Sequence, residues 1–146
     1  MRKLVCWVVL LVGLAGPVWA QSLVIAPPHS DSSGCDLAVA GFTSKQGFMR
    51  FFDELKQAAA ADDKRRLSEL VLYPLRVNGP RAMLIRTPAE FQRDFAVIFP
   101  EKVRRVIEAQ SVGDLFCRDQ GVMYGNGEVW VGTDGARVGI EAINLG

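Results

Sequence analysis

Hydrophobic residues recur along this chain with three different rhythms. From Leu4 to Ala15 they run almost unbroken; between Phe48 and Ile107 they mostly return every three or four positions; from Leu115 to Asn144 they fall in short extended bursts. The middle rhythm is that of helices laying one face on a core. The last is that of strands, whose side chains point to opposite faces in turn.

The helical stretch divides at its caps. Thr43 offers an oxygen to the turn that Gln46 closes, and Phe48, Phe52, Leu55 and Ala59 follow at helical spacing, which predicts a helix from about Ser44 to Ala60. Asp62 and Asp63 both suit the start of a second, shorter helix that sends Leu67, Leu70 and Val71 to the core. Pro74 lacks an N–H and biases Tyr73 out of the helical region, so strands are expected at Leu75–Val77 and Met83–Ile85, around the turn Asn78-Gly79-Pro80. Thr87-Pro88-Ala89-Glu90 then combines a cap, a proline at the first helical position and a closing glutamate. Phe91, Phe95, Ile98 and Phe99 form that helix's buried stripe, and Pro100 ends it or opens another turn carrying Val103, Val106 and Ile107.

Beyond Leu115 the segments LFCR, GVMY, EVWVGT and ARVGIEAIN have strand length, and Asn126-Gly127 and Asp134-Gly135 tolerate the positive backbone angles of tight hairpins. Helices first and a meander last predict an α+β domain, its helices packed on one face of an antiparallel sheet. Met49 and Met123 are expected in the core.

The unbroken run at the start has another meaning. Arg2 and Lys3 precede it, Gly13, Gly16 and Pro17 break it, and Val18 and Ala20 are small enough for signal peptidase, so residues 1–20 read as a secretory signal cut before Gln21. The run is shorter than the roughly 20 residues that span a bilayer. Residues 21–42, with Pro27, Pro28 and several serines, read as an irregular lead-in, and 43–146 as a single domain. The expected location is the periplasm or the exterior.

Export changes what charge and cysteines mean. The chain has 17 Lys and Arg against 16 Asp and Glu, and loss of Arg2 and Lys3 leaves it close to neutral. No field remains to gather nucleic acid or an anionic membrane, and neither is an expected partner. Cys6 leaves with the leader, so Cys35 and Cys117 remain as a pair where disulfides persist. Their bridge would close a loop of roughly 80 residues, worth about 4 kcal/mol in the chain-entropy picture. His29 is the single histidine, and no segment has the spacing of a metal site, so no metal or cofactor is expected.

Asp62-Asp63-Lys64, Tyr73-Pro74-Leu75-Arg76-Val77 and the hairpin Gly121 to Trp130, in this order of elements, resemble small exported bacterial members of the nuclear transport factor 2-like group, whose fold is also called cystatin-like. The resemblance covers about residues 43–145. It implies helices on a curved sheet and, because group members often pair through their sheets, a homodimer. It is nearly silent about activity, since the architecture hosts isomerases, hydrolases, dehydratases and binding modules. Enzymes of the group work in an apolar pocket with an aspartate or histidine and a tyrosine; here His29 precedes the domain, and Tyr73 and Tyr124 have no acid at a motif position.

The residues themselves offer a short set of candidates. Alternation places Arg137, Gly139, Glu141 and Ile143 on one strand face and Val138, Ile140 and Ala142 on the other, leaving Glu141 either solvated or a buried acid beside Arg76 or Arg86. Glu141 is therefore the one catalytic candidate. Trp130, Tyr124 and Tyr73 are candidate aromatic contacts, and Arg76 and Arg86 candidate grips for a carboxylate or phosphate. Glu128, after its turn, reads as a solvated hairpin residue. The reading these support is an exported, non-catalytic binding module for an envelope protein or a small apolar ligand, one version of it being an inhibitor or immunity factor; the alternative is a small isomerase or hydrolase using a buried carboxylate.

Overall fold

The computed structural model describes residues 34–146, which belong to one compact unit. The expected signal peptide and the lead-in up to Ser33, with His29, lie outside the described residues.

Helices α1 (Lys45–Ala60), α2 (Lys64–Glu69), α3 (Pro88–Arg93), α4 (Phe95–Ile98) and α5 (Glu101–Ala109) accompany a six-stranded sheet. Its strands are β1 (Val71–Asn78), β2 (Met83–Ile85), β3 (Phe116–Arg118), β4 (Gly121–Tyr124), β5 (Val129–Thr133) and β6 (Val138–Asn144), in the order β2-β1-β6-β5-β4-β3. The α+β class holds. The sheet is mixed rather than antiparallel, because β1 lies parallel to β6, pairing Arg76 with Ala142 and Val77 with Ile143. The chain reaches that pairing only after crossing from one half of the sheet to the other through α3, α4 and α5, which hairpin signals do not encode.

Local chemistry explains most helix ends. Ser44, one residue later than expected, caps α1 by accepting from the Gly47 N–H at 3.0 Å. Asp63 caps α2 through the Arg66 N–H, whereas Asp62 does not cap: it sits at φ +52° and pairs with Arg104 at 2.9 Å. Thr87 caps α3, and Glu90 reaches back to the Arg86 N–H at 2.7 Å. The stripe expected as one helix is split at Asp94 into α3 and α4, and Pro100 opens α5.

β1 starts earlier than Pro74 suggested, since Leu70 ends the helix and Val71 already pairs with Ile140. A register irregularity between Val71 and Arg76 absorbs the proline. Proline costs a ladder bond, which a strand tolerates where its pairing is already broken.

The core fills the space between helices and sheet. Phe48, Leu55, Leu67, Leu75, Phe91, Ile98, Ile107, Tyr124, Ile140 and Ile143 are all buried there, and Ala40 and Phe42 from the end of the lead-in join them. Cys35 and Cys117 stand at disulfide distance with Cα atoms 4.5 Å apart, which fits the expected bridge and ties that lead-in to the edge strand β3.

Candidate functional site

Cross-strand register sets what the other face of the sheet presents. Leu84 opposes Arg76, Arg76 opposes Ala142, Ala142 opposes Trp130, Trp130 opposes Met123 and Met123 opposes Phe116. These six residues form one row across all six strands, and their inner neighbours Leu75, Val77, Val122, Val131 and Ile143 are fully buried. Alternation then sends the row away from the helices. Leu84 and Phe116, at its two ends, remain 42% and 48% exposed.

A bulge shapes the middle of this face. Trp130 pairs with Ala142 but the next residue, Val131, pairs with Ile140, so Glu141 is an extra residue in β6. Strict alternation had grouped Glu141 with Ile143 and Ala142 with Ile140. The bulge instead turns Glu141 and Ala142 together to the open side and leaves Ile140 and Ile143 both buried.

Glu141 does not extend into water. Three glycines, Gly121, Gly132 and Gly139, stand side by side on β4, β5 and β6, and its carboxylate lies over the first two. A Cβ on Gly132 would come within 2.7 Å of the Glu141 Cδ, and one on Gly121 within 3.3 Å of Oε1. Leu72 covers Gly139 in the same way. Glycine in a strand commonly marks such a close approach. Burial pushes the Glu141 carboxyl above the usual carboxylate range, and the Arg76 charge pulls partly against that.

Beside Glu141 opens a cleft of about 480 Å³, lined by Arg76, Asn78, Asp119, Gln120, Trp130, Ala142 and Asn144. Only strands and the β3–β4 turn contribute. Trp130 separates it from a second opening of about 360 Å³ that reaches Met123, Asn126 and Lys102. The floor is rigid: the Asn78 amide donates to Asn144 Oδ1 at 2.8 Å, and the Asn144 amide donates in turn to the Gly127 carbonyl.

Of the residues singled out in the sequence, the structure brings Trp130, Arg76 and Glu141 together and separates the others. Tyr124 is fully buried on the helix side against Phe52, its hydroxyl has no hydrogen-bond partner, and burial with the nearby Asp53 charge raises its pKa strongly. It is a core residue, not a binding contact. Tyr73 donates to the Ser68 carbonyl at 2.8 Å, and burial pushes its hydroxyl up to about 12. Arg86 lies beyond the end of β2, exposed and outside the cleft. Met123 leaves the core for the open row.

Comparison with protein-family models, curated proteins and solved structures returned no match.

Alternation did not reveal Asn78, Asn144 or Gln120 as cleft residues, because polar strand residues carry no mark of what they face. Glu128 is not free in water either: its carboxylate accepts from the Asn126 N–H at 2.7 Å and stands 3.7 Å from Lys102, holding the β4–β5 turn. Gln110, buried at the end of α5, accepts from the Gly125 N–H with its side chain while its carbonyl takes a bond from Lys56, knotting α1, α5 and that turn.

A second, apolar cleft of about 470 Å³ lies beside Cys35, lined by Leu37, Phe42, Phe48, Met49, Val112 and Leu115. Among the described residues no helix is long and apolar enough to cross a membrane.

Proposed function

We propose that this protein is an exported binding module of the nuclear transport factor 2-like kind, without chemistry of its own, that engages an envelope protein through the open face of its sheet. One observation carries the reading: a row containing Leu84, Trp130, Met123 and Phe116 crosses every strand on the face opposite the helices. Aromatic and methionine side chains at the centre of a surface patch, with an arginine among them, are the composition of interface anchors. The order of helices, hairpin, helices and meander supports the assignment of the fold, and the Cys35–Cys117 pair suits an oxidising compartment. A pocket enzyme of the group would place a carboxylate among the buried side chains near Tyr73 or Tyr124. The carboxyl that burial raises, Glu141, lies instead on the open face in the cleft beside Trp130.

The test is capture of the partner from envelope extract by the tagged full chain. Leu84→Arg with Phe116→Arg should abolish capture of the identified protein, and Glu108→Arg on α5 should leave it intact. Loss with Glu108→Arg and retention with the sheet variants would refute the reading. The cleft beside Cys35 supports a second one, a small apolar ligand, because Leu37, Phe42, Phe48, Met49, Val112 and Leu115 dominate a lining that Asp36 and Lys45 complete, over a volume typical of ligand sites. Saturable binding of a fluorescent fatty acid that is lost in Met49→Arg would support it, and equal binding by the variant would refute it.

A further inference from the structure

The cleft at the centre of the open face is polar where the row around it is apolar, and four of its polar groups make no hydrogen bond within the chain. Among the described residues, the Arg76 guanidinium, the Gln120 amide, the Trp130 indole N–H and the Glu141 carboxylate make no hydrogen bond. Asp119, in contrast, is engaged by Arg118 at 3.7 Å, and Asn78 and Asn144 bond each other. What remains is one cation, one anion, an amide and an indole around about 480 Å³.

That set excludes several ligand classes by simple electrostatics. An anion drawn to Arg76 meets Glu141 and Asp119, and a cation drawn to Glu141 meets Arg76. An apolar ligand would leave unmatched donors and acceptors dry, at a cost of about 1–3 kcal/mol for each. A neutral polyhydroxyl ligand suits every group at once. Its hydroxyls donate to the carboxylate and accept from the guanidinium and the amide. Its C–H face lies on the indole, as apolar surface lies on any aromatic. Such a ligand is a sugar ring, and the volume falls within the roughly 300–1,000 Å³ of small-ligand sites.

We propose that this cleft binds a neutral saccharide unit stacked on Trp130, with Glu141, Arg76 and Gln120 holding its hydroxyls. The site goes beyond the docking of a protein partner: it shares Arg76 and Trp130 with the docking row, whose ends, Leu84 and Phe116, lie outside its lining.

The probes are N,N′-diacetylchitobiose and cellobiose, titrated against the 15N-labelled full chain while the Trp130 indole resonance is followed; Trp130→Phe assigns that signal. Saturable movement with either sugar is expected. Trp130→Ala should weaken binding at least about tenfold, and Glu141→Gln or Gln120→Ala about three- to tenfold, each variant still melting in one cooperative transition. Phe116→Arg should leave sugar affinity as it was, so failure of protein docking and failure of this site are told apart. No movement at millimolar sugar would overturn the proposal, as would an equal response to zwitterionic diglycine or full affinity in Glu141→Gln and Gln120→Ala together.

Discussion

On the helix side of the sheet, Leu75, Val77, Val122, Tyr124, Val131 and Ile143 have lost all contact with water; on the other side Arg76, Leu84, Phe116, Met123, Trp130 and Glu141, carried by the same strands, have not. The inner face is apolar and is closed by helices whose stripes match it. The outer face mixes apolar, charged and amide groups, and three glycines thin it so that a carboxylate can lie on bare backbone. Stability belongs to the first face, and the proposed recognition to the second.

The widest separation between the faces should appear in unfolding free energy. Phe48→Ala is expected to cost about 3–5 kcal/mol in urea denaturation, whereas Met123→Ala on the outer row should stay within about 0.5 kcal/mol. Gln110→Ala, which strips the Gly125 N–H and the end of α5 of a buried partner, should cost about 1–3 kcal/mol. Tyr124→Phe sharpens the comparison from the other direction. Its hydroxyl is buried without a partner, so removal should be neutral or stabilising by up to about 1 kcal/mol. A large loss would mean that the hydroxyl is satisfied in solution.

pH separates the faces too. Tyr73 and Tyr124 both have folded pKa values above the unfolded value of about 10, so their contribution is full below pH 10 and is lost as pH rises through the folded values. Alkaline unfolding followed by circular dichroism should therefore set in above pH 10, later in Tyr124→Phe. Glu141 follows the same sign in the acid range: raised in the fold, it contributes fully below its unfolded pKa and loses that contribution as pH rises through the folded one. Glu141→Gln should consequently stabilise the protein at pH 7 relative to pH 3. The smallest effect is at Gly132→Ala, where the new methyl meets the end of a flexible side chain. It should displace the carboxylate and return the Glu141 titration, read by NMR, toward that of an ordinary glutamate.

Much of the inner face was legible in the letters. The stripes of α1, α3 and α4, the caps at Asp63 and Thr87, and the hairpin around Asn126-Gly127 depend on neighbours within a few residues. The parallel union of β1 with β6 was not, because it joins segments 66 to 69 residues apart, as in Val77 with Ile143 and Val71 with Ile140. The bulge at Glu141 left a trace that alternation overlooked: Ile140 and Ile143, two buried residues three apart in one strand, require an extra residue between them. Gly121, Gly132 and Gly139 were likewise visible as strand glycines, but only register shows that they are adjacent. Trp130, Arg76 and Glu141 could be singled out as residue types with chemistry to offer; their meeting in one cleft is a consequence of strand order.

The direct measurement is photocrosslinking in the living envelope, with a photoreactive residue placed in turn at Leu84, Met123 and Phe116 on the open face and at Gln57, Val97 and Glu108 on the helix side. The account predicts a discrete adduct from the sheet positions and none from the helices. Adducts from the helix positions alone would contradict it.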